Sequence, residues 1–270
     1  MQPPPFQNFL SDFYLTAKGH SLLTDEKLLI EKSLEKVFGY YLVQLGVSSH
    51  EDLIQNSRIS RKVIADSVLP ASLISEVGAE KNQEFVQTDL NYLPFKDDSI
   101  DAVVMTHTLE SVSDPYHLLR QVDKMLVPEG HILITGFNPL GCQVIRQKLG
   151  ENRQVFKQAN LVKESRVVDW LNVLGYEIQK ISYSSLSCVT KDIETYQPSR
   201  FLLAMEYWMD KVGLDLGNLY CILAKKKVGS PTPVGLNWRL APWQSVKKGR
   251  VIASTEIHSN GVHKKNSCKK

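Results

Sequence analysis

The chain has 270 residues, 43% of them hydrophobic and 9% aromatic, enough to bury a sizeable core in one domain with extensions. No apolar run approaches the ~20 residues that cross a bilayer, and the start, MQPPPFQNFLSDFYL, lacks a basic stretch followed by an apolar core, so the reading is a soluble, unexported, cytoplasmic protein. The four cysteines, Cys142, Cys188, Cys221 and Cys268, form no CxxC pair and have no histidine at ligand spacing beside them, which argues against a disulfide framework or a zinc site and for reduced thiols.

In chain order, Thr24, Asp25 and Glu26 supply a cap and acidic first turn for an amphipathic helix over 25–38, with Leu28, Leu29, Leu34 and Val37 on its apolar face. That helix feeds the strand-like YYLVQLG, which closes at Gly46. Further β-leaning runs follow at 62–68 and 84–90. The stretches 100–106 (IDAVVMT) and 131–137 (HILITGF) are continuous apolar runs of the kind buried on both faces of a parallel sheet. Between them, Asp114 caps a helix with Pro115 in its first turn and Leu118, Leu119, Val122 and Leu126 on one face; Pro128 and Gly130 end it. This is a βαβ unit. A helical face at Val167, Val168, Leu171 and Leu174 closes at Gly175, a strand follows at 177–183, a helix opens at Ser199, and 220–225 (YCILAK) makes a final strand. Strands alternating with helices predict an α/β doubly wound sheet over residues 1–228, with a helical lead-in at 1–38.

The last segment differs in charge. Residues 1–224 carry 21 Lys and Arg against 28 Asp and Glu, whereas residues 225–270 carry 11 against 1. With Pro231, Pro233 and Pro242 between its basic clusters, the tail 229–270 reads as disordered or as an extended strap. It is either a solvated solubility tail or a polyanion contact by residues 225–270, with Trp238 and Trp243 available to stack on bases or to pin the strap to the body.

In such a sheet a ligand binds outside the carboxyl ends of the strands, where strand order reverses. The residues there are Gly46, Asp66, Asp89, Thr106 and His107. Gly46 precedes Asp66 by the interval that separates a backbone-approach loop from an acid receiving a ribose diol, although Asp66 serves equally well as a turn residue.

Residues 89–139 resemble class I S-adenosylmethionine-dependent methyltransferases of the "type 11" group. Asp89 and Leu90 stand before Leu93-Pro94-Phe95 as the acid and apolar residue closing that family's third strand do, Ile100-Asp101-Ala102-Val103 opens the fourth strand, His107-Thr108-Leu109-Glu110 follows it, and Val127-Pro128-Glu129-Gly130 matches the next turn with glutamate replacing a glycine. FGYYLVQLG, Gly136-Phe137-Asn138-Pro139-Leu140, Asp169-Trp170-Leu171 before Gly175-Tyr176-Glu177, and Ala224-Lys225-Lys226-Lys227 extend the resemblance to the YafS-like group of bacterial proteins.

The resemblance implies a mostly parallel, seven-stranded Rossmann-like sheet whose last strand is antiparallel. It also implies S-adenosylmethionine as cofactor, held by Gln44, Gly46, Asp66, Asp89, Leu90 and Thr106, with Asp89 facing the adenine amine and His107 beside a methyl acceptor as a candidate general base. Transfer from a sulfonium is a direct displacement that needs alignment and desolvation more than an obligatory side-chain catalyst.

In the family the first strand ends in acid-x-Gly-x-Gly-x-Gly, whose glycines let the backbone run beneath the cofactor. Here the pattern reads Gln44, Gly46, Ser48 and His50. Losing one charge and two glycines weakens binding by roughly several kcal/mol, a hundredfold or more. Two expectations follow: a methyltransferase with weak or altered cofactor binding, or a methyltransferase-fold binding module without catalysis whose basic tail meets a nucleic acid or an acidic partner.

Overall fold

The computed structural model describes residues 5–47, 52–69, 83–150, 152–184, 217–227 and 249–250. The strands are β1 (Tyr41–Leu45), β2 (Arg61–Asp66), β3 (Gln83–Gln87), β4 (Ile100–Thr106), β5 (Leu126–Phe137), β6 (Tyr176–Tyr183), β7 (Leu219–Lys226) and β8 (Gly249–Arg250). They form one sheet in the order β3-β2-β1-β4-β5-β7-β6-β8. β7 runs antiparallel to both of its neighbours and the other pairings are parallel. The doubly wound, mostly parallel sheet with an antiparallel strand closing the seven is therefore the architecture observed. β8 adds an eighth strand: Gly249 and Arg250 of the basic tail lie opposite Ser182 and Tyr183.

Two hydrophobic layers sandwich the sheet. On one face, helices α1 (Pro5–Tyr14) and α2 (Ala17–Leu34) join Val144 of α5 (Cys142–Leu149) and Phe156 of α6 (Arg153–Gln158) over Leu42, Ile64, Val104 and Leu133. On the other, α4 (Pro115–Met125), which follows the single turn of α3 (Thr108–Ser111), sends Leu118, Leu119 and Val122, and α7 (Glu164–Val173) sends Val167 and Leu171, onto Val43, Val103, Ile132 and Ile222. The alternation of Leu42 with Val43 across the strand divides the two layers.

Several boundaries differ from the sequence reading for local reasons. α2 begins at Ala17, not residue 25, because Thr16 is the true cap: its Oγ1 accepts from the Gly19 N–H at 3.1 Å. Thr24, Asp25 and Glu26 then fall inside the helix. β5 begins at Leu126, so Pro128 and Gly130 lie within the strand rather than after a helix, and Glu129 takes the left-handed turn at φ 66° where the family pattern has glycine. α4 ends at Met125. Its cap is the expected one, with Asp114 Oδ1 accepting from the His117 N–H at 2.9 Å. The amino ends of β1 and β4 are tied by Asp101, whose Oδ2 accepts from both Tyr40 and Tyr41 N–H at 2.8 Å. The helix expected from Ser199 lies outside the described residues, as do Ser48, His50 and most of the tail. Cys142 is disulfide-bonded, which corrects the reading of reduced thiols, while Cys221 is free and buried.

Candidate active site

Strand order reverses between β1 and β4, and the residues closing β1, β2 and β4 meet there. Gly46 turns the chain at φ 84°. A Cβ at Gly46 would lie 2.6 Å from Thr108 Oγ1 and 2.8 Å from the Thr106 carbonyl, so both conformation and space require glycine. Thr106 donates its hydroxyl to the Gly46 carbonyl at 2.8 Å, and Thr108 donates to the Leu45 carbonyl at 2.7 Å. The first turn is thereby fastened to the end of β4.

Asp66 is completely buried. Its Oδ2 accepts from the Val47 N–H at 2.6 Å and from Gln7 Nε2 at 2.5 Å; its Oδ1 accepts from the Ser67 N–H at 2.6 Å and the Ser67 hydroxyl at 3.2 Å. Burial raises its pKa above the ordinary carboxylate value, against the pull of these donors. Every carboxylate oxygen of Asp66 is engaged inside the protein.

Asp89 is different. It is half-buried, and the two hydrogen bonds it accepts, from the Asn91 N–H at 2.9 Å and Asn91 Nδ2 at 2.8 Å, converge on Oδ1. Leu90, buried, faces the same cleft as Gly46, Asp66 and Thr106. Gln44 and Asp89 stand outside its immediate lining. Gln44 is buried, donates from Nε2 to the Gly46 carbonyl at 3.2 Å, and leaves Oε1 without a partner among the described residues.

His107 follows β4 in a left-handed conformation, φ 51°, which aims its ring inward beneath α1 and α2. Nδ1 meets Glu110 Oε2 at 3.0 Å; Nε2 lies 2.9 Å from the Tyr14 hydroxyl and 3.5 Å from Glu26 Oε1. Glu26 also accepts from the Tyr14 hydroxyl at 3.0 Å and the Thr135 hydroxyl at 2.6 Å, and Glu110 accepts from the Phe137 N–H at 2.5 Å. Burial alone would lower the imidazole's pKa, but the two carboxylates and their hydrogen bonds raise it to about 10. Burial would raise Glu26, yet the charge and hydrogen bond of His107 hold it below the ordinary value. A cation shared by two buried carboxylates has no free lone pair at neutral pH with which to take a proton. The arrangement argues against the general-base role expected of His107 and makes it the clamp joining both N-terminal helices to β4 and β5.

Reading the sequence alone also passes over Gln7 and Leu10, which come from α1 and complete the cleft. The available signal is the apolar face of α1, with Phe6, Leu10, Phe13 and Tyr14 at helical spacing and Gln7 as the polar residue on that face. Asn138, just past β5, is buried and donates from Nδ2 to the Gly217 carbonyl at 2.9 Å, which ties the end of β5 to the residues leading into β7.

Residues 59–134, from just before β2 into β5, match the methyltransferase domain family. This part of the chain is similar to a methyltransferase domain. The matched segment starts after the first turn, so it includes Asp66, Asp89 and Thr106 but not Gly46. The uncharacterized protein YafS of Escherichia coli K12 is 30% identical over 144 residues, 53% of this chain and 55% of that one, so the chain spans about half the length of this relative. A methyltransferase structure from Archaeoglobus fulgidus, described as dependent on S-adenosylmethionine, superposes with a TM-score of 0.56 at 18% identity, covering 82% of this chain and all of that one. The Haemonchus contortus phosphoethanolamine N-methyltransferase 2, solved with S-adenosylmethionine bound, gives 0.53 at 16% identity, covering 83% and 60%. These two establish the fold. Among the described residues no helix is long and apolar enough to cross a membrane, and no group of His, Cys, Asp and Glu could hold a metal ion.

As the described residues line it, the cleft is nearly closed. Its cavity is about 10 Å³, room for one water at most, whereas ligand pockets of this kind run to roughly 300 Å³ or more. Asp66, which lines it, is already bonded to Gln7.

Proposed function

We propose that this protein is an S-adenosylmethionine-dependent methyltransferase whose donor cleft is closed in the conformation described. The observation that carries this reading is the meeting of Gly46, Asp66 and Thr106 at the point where strand order reverses, beneath a glycine whose left-handed turn no other residue could take without strain. In an opened cleft, Gly46 would give backbone access, Asp66 would accept from the ribose, Leu90 would pack on the adenine, and Asp89, half-exposed, would accept from its amine. Thr106 holds Gly46 in place. Gln44 presents an amide oxygen where the family has a carboxylate and so offers the cofactor's ammonium a weaker partner.

A second reading, a methyltransferase-fold binding module without catalysis whose basic tail contacts a polyanion, is supported by the closed cleft itself. α1 is no loose flap: Phe6, Leu10, Phe13 and Tyr14 are buried, and Phe6 meets Phe137 and Phe156 edge-on with centroids 6.2 and 5.7 Å away. At about 2 kcal/mol per side chain as an upper estimate, undocking the whole helix costs more than releasing Gln7 and Leu10.

Calorimetry of the full chain and of Gln7→Ala with S-adenosylmethionine and S-adenosylhomocysteine separates the readings. Binding near the micromolar range by either protein, removed by Asp89→Ala, is expected of the enzyme. No heat from both at high ligand concentration ends that reading. Removing residues 229–270 tests the tail: at least tenfold weaker binding to a single-stranded RNA or DNA is expected of the polyanion contact, and unchanged binding rejects it.

A further inference from the structure

Gln7 is 59 positions from Asp66 in sequence, yet its carboxamide bridges the Asp66 carboxylate at 2.5 Å and the Val47 carbonyl at 3.3 Å, with Leu10 beside it in the same cleft. Gln7 has little access to solvent, 8%. A buried glutamine on the apolar face of a helix costs desolvation unless it is fully partnered, and the partners it has found are the acid and the first-turn backbone of the donor site. An amide N–H donating to Asp66 reproduces what a ribose hydroxyl would donate. The same Asp66 oxygen holds the Val47 N–H, so Gln7 also fixes the turn that follows Gly46.

We infer that α1 is an intramolecular occupant of the donor cleft: Gln7 holds on Asp66 the hydrogen bond that the cofactor's ribose would make, and ligand enters only after the N-terminal turns of α1 leave. This regulation rests on the methyltransferase reading for the identity of the ligand, but not for the motion. The apparent affinity of the full chain is its intrinsic affinity reduced to the fraction of molecules in which the N-terminal turns of α1 are undocked. The latch is one neutral amide. Gln7→Glu, of the same shape, places a second carboxylate against Asp66 and turns attraction into repulsion. Gln7→Ala removes the donor without adding charge.

Hydrogen exchange and calorimetry at pH 8 test the two parts separately. In the wild-type chain the amides of residues 8–14 are expected to exchange at least tenfold faster than those of β4. Gln7→Glu should accelerate them at least tenfold more while leaving β4 unchanged, with Gln7→Ala between. Exchange of α1 and β4 at one common rate, or equal acceleration of both in each variant, overturns the inference. Both variants should bind S-adenosylmethionine at least tenfold more tightly than the wild type, and equal affinity for all three proteins also overturns it. Selective opening of α1 with no binding by any of the three leaves α1 as the occupant and refutes the methyltransferase reading instead.

Discussion

Asp66 and Asp89 occupy similar stations, at or just beyond the ends of the neighbouring parallel strands β2 and β3, and the structure treats them oppositely. Asp66 is buried, receives four hydrogen bonds and is shut beneath α1. Asp89 is half-exposed and, among the described residues, its carboxylate is bonded just to its own turn through Asn91. The strand ends therefore fall into a closed half, at β1, β2 and β4 beneath α1, and a more exposed half beyond β3. A carboxylate at a strand end becomes a ligand only if the fold leaves it short of partners, and here the N-terminal helix makes that difference.

The contrast can be broken by mutation, and the largest effect is expected in the closed half. His107→Gln strips the cation from between Glu26 and Glu110 and should cost about 4 kcal/mol in urea unfolding; a loss below 1 kcal/mol would mean that the clamp does not hold the helices. Asp66→Ala orphans the Val47 and Ser67 N–H groups and the Gln7 amide, for about 3 kcal/mol. Gly46→Ala forces a side chain into a left-handed turn against Thr108 and the Thr106 carbonyl, for roughly 2 kcal/mol. Asp89→Ala should change stability by less than about 1 kcal/mol. Should Asp89→Ala unfold the protein as readily as Asp66→Ala, the division into halves fails.

The clamp also predicts a pH dependence. His107 titrates near 10 in the folded chain against about 6.5 unfolded, so its stabilisation is full below about pH 6.5 and is lost as pH rises through about 10. Glu26, held below its ordinary value, contributes above that value and loses its contribution on acidification. The thermal midpoint of the wild type should therefore fall between pH 6.5 and 10, and His107→Gln should flatten that fall. A variant with the same slope as the wild type assigns the titration to another group.

Most of the sheet was legible because its signals are local. β4 spans residues 100–106 as its apolar run indicates, and Asp114 with Pro115 marks the start of α4. Local signals also misled: Pro128 and Gly130 look like a helix stop, whereas Glu129 absorbs the turn inside β5. The cleft was legible on its strand side only. Gly46, Asp66, Leu90, Thr106 and His107 do converge, but the groups facing them come from α1 and α2, and no short-range pattern links Gln7 to Asp66 or Glu26 to Thr135, which is 109 residues away. A polar residue on the apolar face of a helix is the trace such a partnership leaves in sequence.

α2 lies across β5, β6 and β7, and the Ser33 hydroxyl sits 3.7 Å from Cys221 Sγ, 188 positions further on. On the ribosome this helix is made early and its resting place late. Until β7 is synthesised, the stripe of Leu22, Leu29 and Ile30 has no complete surface to cover it, so assembly of this face must be late and dominated by loop closure. A nascent chain stalled before residue 219 would be expected to display that stripe to chaperones.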